Sequence, residues 1–406
     1  MRDVLHYVLI AFMGKKRKDI EDHELKGFKY FKAINKMLES LHDAGCQRDK
    51  AGNRNLHMDQ YASLILLYMF NPICTSLRSL QQVSELKKVQ KFFGAARASL
   101  GSLSEASTVF DSSLLKNIIQ ELSTKLDNVS SIPGFDNSKA TLTAVDGSLI
   151  EAVGKMTWAL WRSDRNGIKV HFQYEILKGV PVDMELTDAN ANEKTVLAAN
   201  LQSNRIYVLD RGYAKYSLLE EITDVKSSFV CRIRDNAIYK TIEDKQLSDK
   251  ATQENIVFDK IVKLGSETAE TKLKNTRIVA VKCNPKFRPS RTGGRGGPKQ
   301  GEILLIATDR FDLEPETIAA IYKHRWTIEI YFRFFKHVLG YRHLISYNEN
   351  GIEIQMYMAI IACMLISLWT GRKVTLRTYE MVCWYFCGMA DLEELQAHID
   401  RQQLRK

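Results

Sequence analysis

A chain of 406 residues with 45% hydrophobic and 26% charged composition can bury a sizeable core over two or three domains, which excludes a disordered protein. Its formal charge is +10, and residues 1–100, with 17 basic against 10 acidic side chains, hold seven of that surplus. The excess suits a phosphate-rich partner without requiring one. Seven cysteines, an odd set with no CxxC pair, exclude a zinc ribbon and a disulfide framework and fit a reducing cytosol.

The opening MRDVLHYVLIAFMG is apolar but broken by Arg2, Asp3 and His6 and lacks a small-residue cleavage site, so it reads as a helix or anchor within the fold. From about Glu21 to Gln120 apolar residues recur three or four apart, predicting an all-helical N-terminal region over residues 1–130. Within it, CTSLRSLQQVSELKKVQKFFG reads as two short helices carrying Arg78, Lys87, Lys88 and Lys91. This is either a helix-turn-helix lying along DNA or a solvated basic face. The stretch SSIPGFDNSKA then links to a region of different texture.

TLTAVDGSLIEAV, KVHFQYEIL and PVDMELTDA read as three strands, NEKTVLAANL as a helix and RIYVLD as a fourth strand, predicting an α/β mixed sheet. Further strand candidates, SSFVCRIRD, NIVFDKIVKL and TRIVAVKC, precede the apolar strand GEILLIATD. The expected division is a core of 138–235 and 301–348, interrupted by a β-rich insertion at 236–300 and followed by C-terminal helices at 349–406. The end of the insertion carries Lys282, Lys286, Arg288, Arg291, Arg295 and Lys299 among glycines and prolines. It reads as an irregular basic loop able to track a DNA backbone, or as a solvated linker. Met356–Trp369, fourteen apolar residues, has the length of a buried helix and is short for a bilayer.

The segment IYKHRWTIEIYFRFFKHVLG carries Tyr322, Arg325, Glu329 and Lys336 at offsets of three, seven and fourteen. On one helix they fall within roughly 60° of each other, with Arg333 close to the same direction, and most of the remaining face is apolar. Glu329 could be the partner of Arg325 and Arg333 in ordinary i, i±4 pairs. Asp146 closes the apolar run TLTAVD and Asp210 closes RIYVLD, each before a glycine-containing turn. Alone, either is ordinary turn chemistry; together with Glu329 they form a candidate carboxylate triad at strand ends, where such sheets place active sites.

In these motifs the sequence resembles the DDE transposases of the insertion sequence 4 family, across nearly its whole length. The family's tyrosine, arginine, glutamate and lysine signature is matched by Tyr322, Arg325, Glu329 and Lys336, and its second-aspartate motif by Asp210, Arg211, Gly212 and Tyr213. The resemblance implies an RNase H-like core with Asp146 on its first strand, Asp210 on its fourth and Glu329 on the helix after the insertion. It implies that these three carboxylates catalyse and hold two Mg2+ ions, for which Mn2+ can substitute, while Tyr322, Arg325 and Lys336 grip a phosphate at the transposon end. It also implies terminal inverted repeats and target DNA as partners, a homodimer in the synaptic complex, and a bacterial, cytoplasmic, nucleoid-associated location. Hairpin-forming relatives stack a flipped base on an aromatic ring, yet no tryptophan lies between Asp210 and Arg325. That leaves Trp158 and Trp161, tryptophans whose closeness is usual for core packing, with Trp326 expected to pack the signature helix. Competing readings are an RNase H-like nuclease or domesticated recombinase, and a non-catalytic DNA-binding regulator.

Overall fold

The structure, a computed structural model, describes residues 36–404 except 45–47, 51, 88, 91–96, 152–155, 163–164, 267–272, 274, 284–300 and 341–343. After a helical turn at Leu41–Ala44 come α1 (Met58–Phe70), α2 (Leu77–Ser84), α3 (Leu100–Val109) and α4 (Leu114–Lys125). Strands β1 (Thr141–Glu151), β2 (Leu160–Arg162), β3 (Arg165–Glu175) and β4 (Val180–Asp188) lead to α5 (Glu193–Ala199), β5 (Arg205–Leu209), α6 (Tyr216–Asp224) and β6 (Ser228–Arg232). Next are β7 (Tyr239–Lys245), α7 (Asp249–Gln253), β8 (Ile256–Leu264), β9 (Thr276–Lys282) and β10 (Ile303–Thr308). The described chain closes with α8 (Pro315–His324), α9 (Trp326–Gly340), α10 (Glu349–Thr370), α11 (Leu376–Phe386) and α12 (Leu392–Leu404).

The strands form one mixed sheet. β1, β3 and β4 are antiparallel neighbours, while β5 and β6 run parallel to β1 because a helix crossover, α5 or α6, returns the chain before each. Strands β10, β9, β8 and β7 then continue the same sheet antiparallel from β6, so the three strands within 236–300 extend the core sheet edgewise.

Period-two alternation sorts the side chains between two cores. Leu142, Ala144, Ile206 and Val208 face the side covered by α8, α9 and α10; Val145, Tyr207 and Leu209 face the side covered by α5 and α6. The apolar run seen from Met356 belongs to α10, a 22-residue helix capped at its start by the Asn348 side chain and ended by Gly371 at φ +63°. By length and composition α10 could cross a membrane, but 94% of its most apolar window is buried among α1, α3, α4 and β4.

Two sequence expectations need correction here. Asp146 does not end its strand: pairing with β3 runs on to Glu151↔Gly167, although the apolar alternation stops at the aspartate. Nor is the signature one helix, because Arg325 forms a turn between α8 and α9. Its backbone stays helical in conformation, so the stripe of side chains is kept across the junction.

Candidate active site

The parallel pairing of β1 with β5 fixes the first two carboxylates. Its last recorded step is Ala144↔Val208, and two residues further along each chain stand Asp146 and Asp210. Asp146 Oδ1 accepts the Gly147 N–H at 2.9 Å. Asp210 follows the last residue of β5 and starts a one-turn 3-10 helix, Arg211–Tyr213, with Oδ1 accepting the Gly212 N–H at 2.7 Å. Each side chain thus accepts from a nearby backbone N–H, Asp146 from the next residue of β1 and Asp210 from its own turn.

The third carboxylate arrives from above the sheet. Phe172, the β3 residue paired with Asp146, is boxed by Phe332 at 4.9 Å, Phe335 at 5.0 Å and Tyr331 at 5.6 Å between ring centroids. Those rings and the buried Ile328 and Val338 seat α9 across β1 and β3, with Glu329 in its first turn. Arg325 Nη2 donates to Glu329 Oε1 at 2.6 Å, so the local i, i+4 pair is present, with Arg325 as its cation. Arg325 is half-buried, its guanidinium lies 5.9 Å from the Tyr322 ring centroid, and among the described residues its buried Nε has no hydrogen-bond partner.

The electrostatics join these groups. Burial, and then repulsion from Asp210 and Glu329, push Asp146 up to about 7, against the opposing charge of Arg325 and the Gly147 N–H. Burial raises the Tyr322 phenol, opposed by Arg325 and Arg232. Desolvation lowers the Lys336 ammonium, opposed by Asp146, so this lysine lies within the field of the same carboxylate. The acids gathered around the half-buried Arg325 offer only hard oxygen donors, the set that suits a divalent cation such as magnesium.

Arg333 is exposed on α9, and among the described residues the ion pair of Glu329 is with Arg325. Arg211 is exposed beside Asp210 and, with Arg234, Asp235 and Asn236, lines an open depression of about 520 Å³. Arg78 and Lys87 are exposed in the N-terminal helical region, and no ion pair or hydrogen bond described for them reaches the carboxylates. Lys88, Lys91, Lys286, Arg288, Arg291 and Arg295 lie outside the described residues. Trp158 is half-buried and donates through Nε1 to the Tyr347 carbonyl at 3.0 Å. Trp326, expected to pack, is instead 43% exposed, because it faces outward where α9 begins.

Sequence reasoning missed Arg232 and Arg234. The parallel step Leu209↔Cys231 puts Arg232 beside Asp210, a proximity that only the pairing register reveals.

The fold and these convergent acids define an α/β protein whose candidate site is a carboxylate cluster at the adjoining ends of parallel-strand pairing. The family profile described as Transposase DDE domain matches residues 137–365, and the chain belongs to that family. A Sinorhizobium fredii protein described as transposase y4zB is 27% identical over 57% of this chain and 61% of its own length. A Geobacillus stearothermophilus protein, described as a transposase for insertion sequence element IS5377, is 27% identical over 62% of this chain and 64% of its own length. A Synechocystis protein described as a transposase for IS4SA is 22% identical over 76% of this chain and 81% of its own length. The chain thus spans about three fifths of the length of the first two relatives it matches.

Proposed function

We propose that this chain is a DNA transposase that cleaves transposon ends and joins them to target DNA by phosphoryl transfer, with Asp146, Asp210 and Glu329 as its metal-holding carboxylates. The observation that carries the reading is the parallel register of β1 and β5, which brings Asp146 next to Asp210 just past the end of β5, with Glu329 carried over them by α9. The order β4-β3-β1-β5-β6, antiparallel among the first three and parallel thereafter, supports an RNase H-like core.

Two Mg2+ ions, or Mn2+ in their place, would supply charge neutralisation at the attacking and leaving oxygens. The chain's own residues hold and orient the DNA. Arg325, with Nη2 on Glu329, can grip a phosphate oxygen through the rest of its guanidinium while keeping that carboxylate in place. Tyr322 offers a phenol beside the guanidinium, and Lys336 adds a charge on the Asp146 side. Asp146 must release its proton to act as a ligand, which a cation at the site favours. Arg211 and Arg234 flank the entrance beside Asp210, and the helical N-terminal region and the basic segment before β10 are assigned to the flanking duplex. Synapsis of two inverted-repeat ends calls for a homodimer.

The test is Mg2+-dependent cleavage and joining of a labelled duplex bearing the element's own end. Wild type should nick and join, while Asp146→Asn and Glu329→Gln should bind the duplex and do neither. Cleavage retained by both variants would remove these carboxylates from the chemistry. Cleavage without joining would make the protein a nuclease, and binding without cleavage in wild type would make it a DNA-binding regulator.

A further inference from the structure

Behind the carboxylates, on the opposite face of β1, lies a polar layer that the signature does not include. The register Leu149↔Lys169 and Gly147↔His171 puts Lys169, His171 and Gln173 on the same face as Gly147, away from Asp146. The Glu193 side chain, at the start of α5, reaches into this layer and pairs with Lys169 at 3.4 Å. Lys169 is itself anchored by donating to the Ala191 carbonyl at 3.1 Å. The Glu193 carboxylate lies hard against Gly147: a Cβ added there would sit 2.9 Å from Oε1 and 3.0 Å from Cδ.

Tyr213, the last residue of the second-aspartate motif, is 1% exposed; burial, and then the charges of Glu193, Asp146 and Asp210, raise its phenol. Beside it a cavity of about 20 Å³ is lined by Val145, His171, Gln173, Glu193 and Tyr213. His171 Nδ1 and Gln173 Oε1 are buried there and, among the described residues, have no hydrogen-bond partner, while the Tyr213 phenol interacts with the Glu193 carboxylate. Such groups cost stability in a plain structural core, and their gathering behind one strand segment points to a role in holding that segment.

We propose that Glu193 is a positioning residue for Asp146: anchored by Lys169, its carboxylate fixes the Gly147 peptide whose N–H donates to Asp146 Oδ1. The inference rests on the reading of Asp146 as a metal-holding residue. Glu193 touches neither DNA nor the reacting atoms; it acts through Gly147. A side chain at Gly147 would move the Glu193 carboxylate out of this position, since the end of that flexible chain gives way before the backbone does.

The experiment is Mn2+ binding to the full chain without DNA, followed by electron paramagnetic resonance, with thermal unfolding by circular dichroism as the folding control. Glu193→Ala should weaken Mn2+ binding about tenfold, the lower end of what outer-shell substitutions do. Gly147→Ala should weaken it similarly by pushing Glu193 aside, the double variant should be no weaker than either single one, and Glu193→Gln should restore most of the affinity. Unchanged affinity in Glu193→Ala, or losses that multiply in the double variant, would overturn the proposal. Asp146→Asn is the reference: if it too binds Mn2+ as wild type does, the reading of the site itself fails, whereas loss there with none at Glu193 sinks only this inference. Should Glu193→Ala not fold, Gly147→Ala carries the same test.

Discussion

Asp146 sits near neutrality because burial disfavours its charge and two neighbouring acids repel it. Its pKa is raised from the ordinary carboxylate value to about 7, so between about pH 4 and 7 the metal-free native state binds more protons at this site than the unfolded chain. Stability from this residue is therefore lost as pH rises through that window. His171 works the other way: burial, then the Lys169 charge, lower it to about 4, so its contribution fades as pH falls from about 6.5. Both proteins share that term when wild type is compared with Asp146→Asn. The variant should gain stability relative to wild type from pH 4 to 7 and level off above, as read by urea unfolding without metal; a difference that stays flat would contradict the assigned environment. Arg325 makes a second residue-scale case, since Nη2 is spent on Glu329 and the fork offers a further nitrogen beside it. Arg325→Lys keeps the charge and loses the fork, so single-turnover cleavage should fall about 100-fold while duplex affinity changes only a few-fold. Equal losses in both would make Arg325 a binding residue alone.

At the scale of elements, the site depends on how α9 is seated. Glu329 has little local reason to hold one position, since an i, i+4 pair stabilises a helix by only tenths of a kcal/mol. The aromatic box around Phe172 supplies the larger force, and it acts at the residue paired with Asp146, so one contact aligns two carboxylates. Phe172→Ala should cost about 3–5 kcal/mol in urea unfolding and lower cleavage by more than the unfolded fraction explains. If cleavage per folded molecule is unchanged, the box stabilises the protein without aligning the site.

For the whole molecule, a buried arginine held by an ion pair between β9 and β8 also ties these strands to the turn before α8. Arg277 of β9 pairs with Asp259 of β8 at 2.7 Å, both nearly inaccessible, and also donates to the Arg310 and Leu313 carbonyls just before α8. The sheet extension and the start of α8 therefore move as one. Asp259→Ala leaves the guanidinium buried without its counter-charge and should cost about 3–5 kcal/mol, much of it recovered by adding Arg277→Met. Scanning calorimetry of the single and double variants checks this, and a double variant no better than the single would show that the carbonyl contacts dominate.

Much of the candidate site was legible in the chain because its residues recur at short periods. Alternation marked the strands that bring Asp146 and Asp210, and the three- and seven-residue offsets placed Tyr322, Arg325, Glu329 and Lys336 on one stripe, which survives the break at Arg325. Local pattern, however, reports which face a residue takes and not what lies across from it. That Asp146 stands beside Asp210, that Arg232 joins them, that Glu193 lies against Gly147, and that the three strands within 236–300 extend the core sheet were all decided by strand register and helix seating. Register is a property of pairs of distant segments, fixed when cross-strand packing and hydrogen bonds are satisfied together, so the sequence by itself determined the faces while the tertiary structure decided which of them meet.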